Sequence, residues 1–540
     1  MAGMETSKDT NWWVFTFPAL LPIAADPLLV VLSLGVALLA ATLIAWAASS
    51  GGPAWPHHRS RIGKAPIPGI RGFPILGSLL SLGGLPHRTL AALSRLHKNS
   101  SAASKLMSFS LGSTPAVVSS DPATARELLS HPLLSDRPVK LSARELFFSR
   151  AIGFAPSGTY WRFLRRLASS HLFSPRRLAF HSAARAADAS TLLRAVAAEQ
   201  SLKGVVLLRR HLQFAALNNI TGTTFGVRYE DSSHPEAREL QEMVREGFDL
   251  LGSFNISDNL PWLSFLDPKR IVKRCKALVP RVRQFVSRVI DEHCLSGNSK
   301  GDDGDFVDVL LSLQDSEKLD LDDMIAVLWE MVFRGTDTTA LLTEWAMAEL
   351  VLNPRVQSRL RREIDEKVGT NRAATDSDVA QMPYLQAVIK ESLRSHPPGP
   401  LLSWARLATG DVQLSNGMVV PEGTTTMVNM WAITHDESVW DRPEEFRPER
   451  FLAAEGGEDV DVRGNDLRLA PFGSGRRVCP GRSLGLVTVG LWVARLVQCF
   501  EWAPSRDAPV NLDEVLKLSL EMKNPLVAVA LPRANINACF

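Results

Sequence analysis

A chain of 540 residues, 45% of them hydrophobic and 22% charged, is long enough to bury a large core and carries no collagen-like or low-complexity bias. Its net charge of +3 is too mild to mark a nucleic-acid binder, and no basic-aromatic motif accompanies it, so nucleic acid is excluded as a partner. Cys275, Cys294, Cys479, Cys499 and Cys539 are odd in number and irregularly spaced, which excludes a disulfide framework and a C-x-x-C zinc site and fits a reducing, cytosol-facing setting.

Residues 1–27 lead into Leu28–Ala48, a run of 21 residues without a charge. A helix needs about 20 residues to cross a bilayer. A cleaved signal peptide would have an apolar core of only ~7–15 residues after a basic start, whereas this run is longer and follows Asp26. Arg59, Arg61 and Lys64 lie beyond the span, while Glu5, Lys8, Asp9 and Asp26 precede it. The positive-inside rule then places everything after the span in the cytosol and residues 1–27 on the lumenal side, where Trp12 and Trp13 suit the interface. Residues 49–77 are basic and rich in Pro and Gly, ending in Pro66-Ile67-Pro68-Gly69-Ile70-Arg71-Gly72-Phe73-Pro74-Ile75-Leu76-Gly77. That density forbids a helix and predicts a stiff, kinked connector to a catalytic body at 78–540. The sequons at Asn99, Asn219 and Asn255 fall on the cytosolic side and are read as chance.

Within the body, Leu141 to Ile152 reads as a loop that helps to build a pocket. Tyr160 to Arg166 predicts a helix on which Trp161 and Arg165, four apart, share a face. An indole N–H and a guanidinium together suit a carboxylate. After an acidic loop at Asp302 to Asp305, a helical pattern runs from Leu321 to Leu352. Inside it lies Arg334-Gly335-Thr336-Asp337-Thr338-Thr339, polar where propensity would prefer Ala or Leu. Gly335 permits close approach of a flat ligand, and Asp337 and Thr338 form an adjacent acid and alcohol suited to moving protons. Arg334, four residues before Thr338, shares its face. Two accounts of it stand: a local pair with Glu330 or Asp337, or a bidentate contact to an anionic group of a substrate. Glu391 and Arg394 share a face on a helix that stops at His396-Pro397-Pro398, and Pro397 to Arg406 reads as an extended strand.

Phe472-Gly473-Ser474-Gly475-Arg476-Arg477-Val478-Cys479-Pro480-Gly481 is a Gly-rich loop running into an apolar helix pattern from Leu484 to Leu496. A cysteine just before a helix sits among free backbone N–H groups and the positive end of the dipole, which predicts a lowered thiol pKa and a metal-binding thiolate. Gly475 and Gly481 let the backbone curl beside a flat ligand, Arg477 is placed for its anionic edge, and Phe472 for shielding the sulfur. The loop reads as a cradle for haem.

The fixed positions of F-x-x-G-x-R-x-C-x-G, preceded in order by W-x-x-x-R, [AG]-G-x-[DE]-T-T with Arg334 as its departure, E-x-x-R and Pro448-Glu449-Arg450-Phe451, resemble the cytochrome P-450 haem-thiolate monooxygenases. More narrowly, Asn11-Trp12-Trp13-Val14, Phe333 to Thr338 and Ser403-Trp404-Ala405-Arg406 resemble the plant KLUH/PLASTOCHRON-type subfamily. The resemblance implies a mainly α fold with small β-sheets, the cytochrome P-450 fold, preceded by an N-terminal transmembrane helix. It implies haem b (iron protoporphyrin IX) held through Cys479 as iron ligand, with Trp161, Arg165, Arg406, Phe472, Arg477 and Gly481 around it. It further implies a buried structural network of Glu391, Arg394 and Arg450, and a proton relay through Asp337 and Thr338. Electrons would come from NADPH through NADPH-cytochrome P-450 reductase, docking where Arg162, Arg165, Arg166, Arg176 and Arg177 offer positive charge. The implied setting is the endoplasmic reticulum membrane, and the implied reaction inserts one oxygen atom of O2 into a small lipophilic, fatty-acid-like substrate to make a plant growth or organ-size signal. The rival readings are a haem-thiolate isomerase or dehydratase working without a reductase, and a haem-binding sensor without turnover. The intact acid–alcohol pair argues against the former.

Overall fold

The computed structural model describes residues 27–55, 67–96, 105–253, 255–296, 304–313, 318–402 and 405–533. Helix α1 (Pro27–Ala48) is exposed along most of its apolar length among the described residues and is long and apolar enough to cross a membrane. Its end is tied to the body: Trp46 Nε1 donates to the Gly72 carbonyl at 3.2 Å, and Arg71 Nε to that of Ser49 at 3.0 Å. Trp55 Nε1 donates to the Phe109 carbonyl at 2.8 Å. The connector expected at 49–77 is therefore no free spacer over its described parts. Prolines and glycines break a helix, but the remaining backbone groups still need partners, and strand β1 (Leu106–Leu111) supplies them. Ile70 N donates to Ser108 O at 3.0 Å, Ser108 N to Pro68 O at 2.8 Å and Ser78 N to Ser110 O at 2.8 Å. The stretch Asn11 to Val14, the basic residues Arg59, Arg61 and Lys64, the Asn99 sequon, Ser403, Trp404 and Cys539 lie outside the described residues. Asn219 and Asn255 are buried, so neither sequon is a surface acceptor.

Five further helices position the site: α2 (Thr159–His171), α3 (Leu208–Thr224), α4 (Leu321–Leu352), α5 (Pro383–Ser395) and α6 (Arg482–Cys499). The spine is α4, whose 32 residues rise about 48 Å at 1.5 Å each. Asp320 caps its start, the side chain accepting the Asp323 N–H at 2.7 Å, and Asp322 and Asp323 complement the dipole in the first turn. Beyond that turn most side chains are buried, with Arg334, Gly335, Asp337, Thr338 and Thr339 the main exceptions, which is why a helix apolar around most of its length is stable here. Trp329 and Trp345 of α4 and Trp492 of α6 are among the largest fully buried side chains.

A small sheet lies to one side, in the order β1, β2 (Thr114–Ser119), β4 (Thr425–Val428), β3 (Arg406–Leu407). β1 and β2 are antiparallel from Leu106↔Ser119 to Leu111↔Thr114, and β2 runs parallel to β4 with Ala116 opposite Thr425. The strand expected from Pro397 is confined to Arg406–Leu407. Pro397 and Pro398 offer no ladder donors, and the chain turns through 398–401 before Leu402 at φ 53°. A second correction concerns 141–152: Leu141–Leu146 is a short helix, and the cavity is reached by Ile152 and Gly153. Near the C-terminus β5 (Glu514–Leu516) and β6 (Leu520–Met522) form a hairpin whose turn brings Leu518 and Ser519 to the same cavity.

Candidate active site

The Cys loop is held by its own backbone. Cys479 N donates to the Phe472 carbonyl at 2.9 Å, which brings the thiol and Phe472 to the wall of a cavity just before α6. Gly475 has φ +68°, and a Cβ there would stand 2.1 Å from Leu129 O. The glycine is thus required by a neighbouring carbonyl rather than by a flat ligand. Gly481 takes an ordinary φ of −85°, with Phe173 at van der Waals distance from an added Cβ. The Cys479 thiol is pushed up in pKa by burial, against the opposing pull of the Gly481 N–H and the charges of Arg165, Arg334 and Arg482. The lowering expected from the helix end is therefore outweighed by burial.

Arginines crowd the same cavity: Arg137, Arg165, Arg334, Arg406 and Arg477 all line it, with Glu330 the carboxylate among the lining residues. Arg477 donates to the carbonyls of Ser135 (2.7 Å), Ile152 (3.0 Å) and Ala155 (2.6 Å), which fastens the Cys loop to the segment before α2. Trp161 spends its Nε1–H on the Ile152 carbonyl at 3.1 Å, so its indole serves as a platform under Arg477, 4.3 Å away, rather than as a donor into the cavity. Arg165 Nη2 donates to Val478 O at 2.8 Å. Arg406 Nη2 reaches Ser474 O at 3.2 Å, but its Nη1 is buried with no hydrogen-bond partner among the described residues. Burial, then the charges of Arg477 and Arg165, pull the Arg406 guanidinium down to about 9. Burial likewise lowers Arg477 to about 10 and moves Arg137 and Arg165 downward. Clustered buried cations with an orphaned N–H, beside a soft thiol, fit a metal-bearing ligand that carries two carboxylates. Haem has that chemistry, and the residues present fit it. Arg137 escaped the sequence reading; its only local signal is its place before Pro138, which biases it toward an extended backbone.

Helix α4 supplies a facing set of groups. Thr338 lines the cavity, whereas Asp337 is not among its lining residues, and burial, with the Glu521 charge, pushes the Asp337 carboxyl up to about 7. Gly335 lines it too, but the space a Cβ would need is taken by Ile220 of α3, with Cγ1 at 2.6 Å, so helix packing is what requires the glycine. Arg334 Nε lies 2.9 Å from Glu330 Oε1, the same oxygen that accepts the Gly153 N–H at 2.8 Å. The local pair with Glu330 is thus formed. Most of the remaining wall is apolar, with Ile220, Phe248, Met331, Leu342, Met427 and Leu518.

Behind the site, Arg394 forks onto Glu391, Nε to Oε2 at 2.8 Å and Nη2 to Oε1 at 2.9 Å, and Arg450 Nε reaches Oε1 at 3.1 Å. Both side chains of the Glu391–Arg394 pair are fully buried. Of the surface arginines, Arg162, Arg166 and Arg176 are exposed, but Arg165 faces the cavity. Arg177 is buried and donates to Gly304 O, so neither of these two offers charge to a docking protein.

A mainly helical body with a cysteine before a core helix, and a basic cavity beside it, defines a haem-thiolate enzyme. The chain belongs to the cytochrome P450 family, whose model matches residues 67–529, and by class it is a monooxygenase. It is 63% identical to Cytochrome P450 78A11 of Oryza sativa subsp. japonica over 98% of both chains. It is 60% identical to Cytochrome P450 78A1 of Zea mays over 97% of this chain and 98% of that one. A flavonoid 3'-monooxygenase of Crocosmia x crocosmiiflora is 36% identical over 89% of this chain and 96% of its own length.

Proposed function

We propose that the protein is a membrane-anchored monooxygenase that inserts one oxygen atom of O2 into a small lipophilic, fatty-acid-like substrate. The observation that carries this is the meeting, in one largely apolar cavity, of the Cys479 thiol, the arginine cluster and Thr338. Cys479 Sγ would hold the iron, and Arg137, Arg165, Arg406 and Arg477, with Trp161 as platform, would hold the propionates. Phe472 and the aliphatic wall keep water from the thiolate. Bound haem supplies the activation of O2 by electrons that arrive one at a time. Thr338 Oγ1 and the Asp337 carboxyl hold and pass the protons that this reduction consumes. The apolar residues of the cavity wall suit an alkyl chain, and Arg334, neutralised by Glu330, closes one end of it.

Helix α1 anchors the chain in the endoplasmic reticulum with the body in the cytosol, and its docked end, from Trp46 to Trp55, fixes the pose of the body on the membrane. Electrons come from NADPH through NADPH-cytochrome P-450 reductase, with exposed Arg162, Arg166 and Arg176 as the positive face. A plant growth or organ-size signal as product is supported by the likeness to the KLUH/PLASTOCHRON-type subfamily. The test is Cys479→Ser in the full-length protein. Serine is a poor soft ligand, so the thiolate-type spectrum of the reduced carbon monoxide complex should vanish; its persistence would overturn the ligand assignment.

A further inference from the structure

Glu330 of α4 stands on the cavity wall, and its two carboxylate oxygens are treated differently. Oε1 is engaged twice: it accepts the Gly153 N–H at 2.8 Å and lies 2.9 Å from Arg334 Nε. Gly153 is what admits this arrangement, because a Cβ there would stand 2.5 Å from Oε1 and would overlap Arg334 Nη2. Oε2 is buried and has no hydrogen-bond partner among the described residues. Arg477, on the same wall, spends its donors on the carbonyls of Ser135, Ile152 and Ala155. A buried carboxylate oxygen left without a donor is costly, and such groups are almost always paired. With Oε1 pinned from two sides, the carboxylate cannot swing away to find one. Water can serve Oε2 while the cavity holds no substrate; a ligand that expels this water must bring a donor of its own.

We propose that Glu330 Oε2 selects a substrate whose chain carries a neutral hydroxyl at this end, and accepts its O–H. This rests on the lipophilic substrate of the proposed function and names the polar group that its chain bears. Charge decides the class. Oε2 repels an anionic head, while Arg334 beside it and the other arginines of the wall repel a cationic one. An ether or ester oxygen is neutral but brings no donor, so it leaves Oε2 stripped of water and unpaired. A hydroxyl meets both conditions. Glu330 precedes Thr338 by eight residues, about 12 Å of helix rise, so the hydroxyl is held well apart from the Thr338 side of the cavity. Met331 lines the wall next to Glu330 and offers apolar surface to the chain.

The test titrates the full-length holoprotein with decan-1-ol, its methyl ether and decanoate, with dissociation constants read from the change in haem absorbance. The alcohol should bind at least about tenfold more tightly than either of the others, as a hydrogen bond to a charged group requires. Equal binding of alcohol and ether overturns the contact and leaves the lipophilic substrate standing. Tighter binding of decanoate than of the alcohol overturns the neutral hydroxyl as the selected group. In Glu330→Gln the amide oxygen stays where the Gly153 N–H needs an acceptor, so the amide nitrogen takes the place of Oε2. Alcohol and ether can both accept from that nitrogen, and their dissociation constants should converge. An undiminished preference for the alcohol in this variant overturns the proposal. No absorbance change with any of the three chains overturns the proposed substrate class and this inference together.

Discussion

Glu391→Gln keeps the shape of the side chain and removes one negative charge from a site where it balances two cations. Arg394 and Arg450 both reach it, and its Oε1 also accepts the Arg447 N–H at 2.8 Å. After the change the guanidiniums keep their carbonyl partners, Thr434 for Arg394 and Asp441 for Arg450, but no counter-charge within the network. Removing one member of a buried ion pair costs ~3–5 kcal/mol, because the partner is left charged and dry. Unfolding entropy of ~2.1 cal/mol/K per residue gives ~1.1 kcal/mol/K for 540 residues, so Tm should fall by ~3–4 °C. The assay is a thermal melt of the full-length holoprotein at one scan rate, since large proteins unfold irreversibly. Arg450→Met leaves the Glu391–Arg394 fork neutral and should cost less. The double variant should lose less than the two singles together, because its members share one network. A wild-type Tm in Glu391→Gln, or strict additivity of the pair, would refute the account of a carboxylate neutralising both arginines.

Thr338→Ala should bind haem normally yet send more NADPH electrons to hydrogen peroxide, measured per NADPH consumed, because only the hydroxyl on the cavity wall is lost. Arg334→Ala removes the ion-pair partner of Glu330, whose side chain is 1% exposed and keeps the Gly153 N–H, and should lower Tm in a melt. The same variant should leave the binding preference between a medium-chain fatty acid and its methyl ester unchanged; selective loss of the acid would show that Arg334 clamps the substrate instead. Deletion of residues 1–45 should release the protein from membranes in alkaline carbonate with little change in Tm. Deletion of residues 1–55 should also lower Tm, because it removes the Trp46 and Trp55 hydrogen bonds to the body.

What the sequence could show was what neighbours along the chain dictate. The bounds of α4 were legible because Asp320 caps it and the apolar pattern runs unbroken to Leu352. The Glu391–Arg394 fork was legible because positions i and i+3 meet on any helix. The same local reasoning misjudged Cys479: the helix end was visible in the sequence, but burial, which depends on distant segments, has the larger effect. Gly335 announced a close approach, but it was read as that of a flat ligand, whereas the group that comes close is Ile220, more than a hundred residues away. The surface arginines show the same limit, since nothing near Arg177 in the chain foretold that it would turn inward to Gly304.

The arginine cluster carries this furthest. Arg137, Arg165, Arg334, Arg406 and Arg477 come from a loop, α2, α4, β3 and the Cys loop, and only the tertiary fold brings them together. Like charges gathered in a poorly solvated cavity raise the free energy of the folded chain, and the downward pull on Arg406 and Arg477 records that repulsion. A ligand carrying two carboxylates, bound by the folded state and not by the unfolded one, reverses the sign of this contribution and stabilises the fold by mass action. The cofactor site and the stability of the body are then one electrostatic problem. On the proposed function, the cluster is costly alone and would become favourable once the dianion is in place.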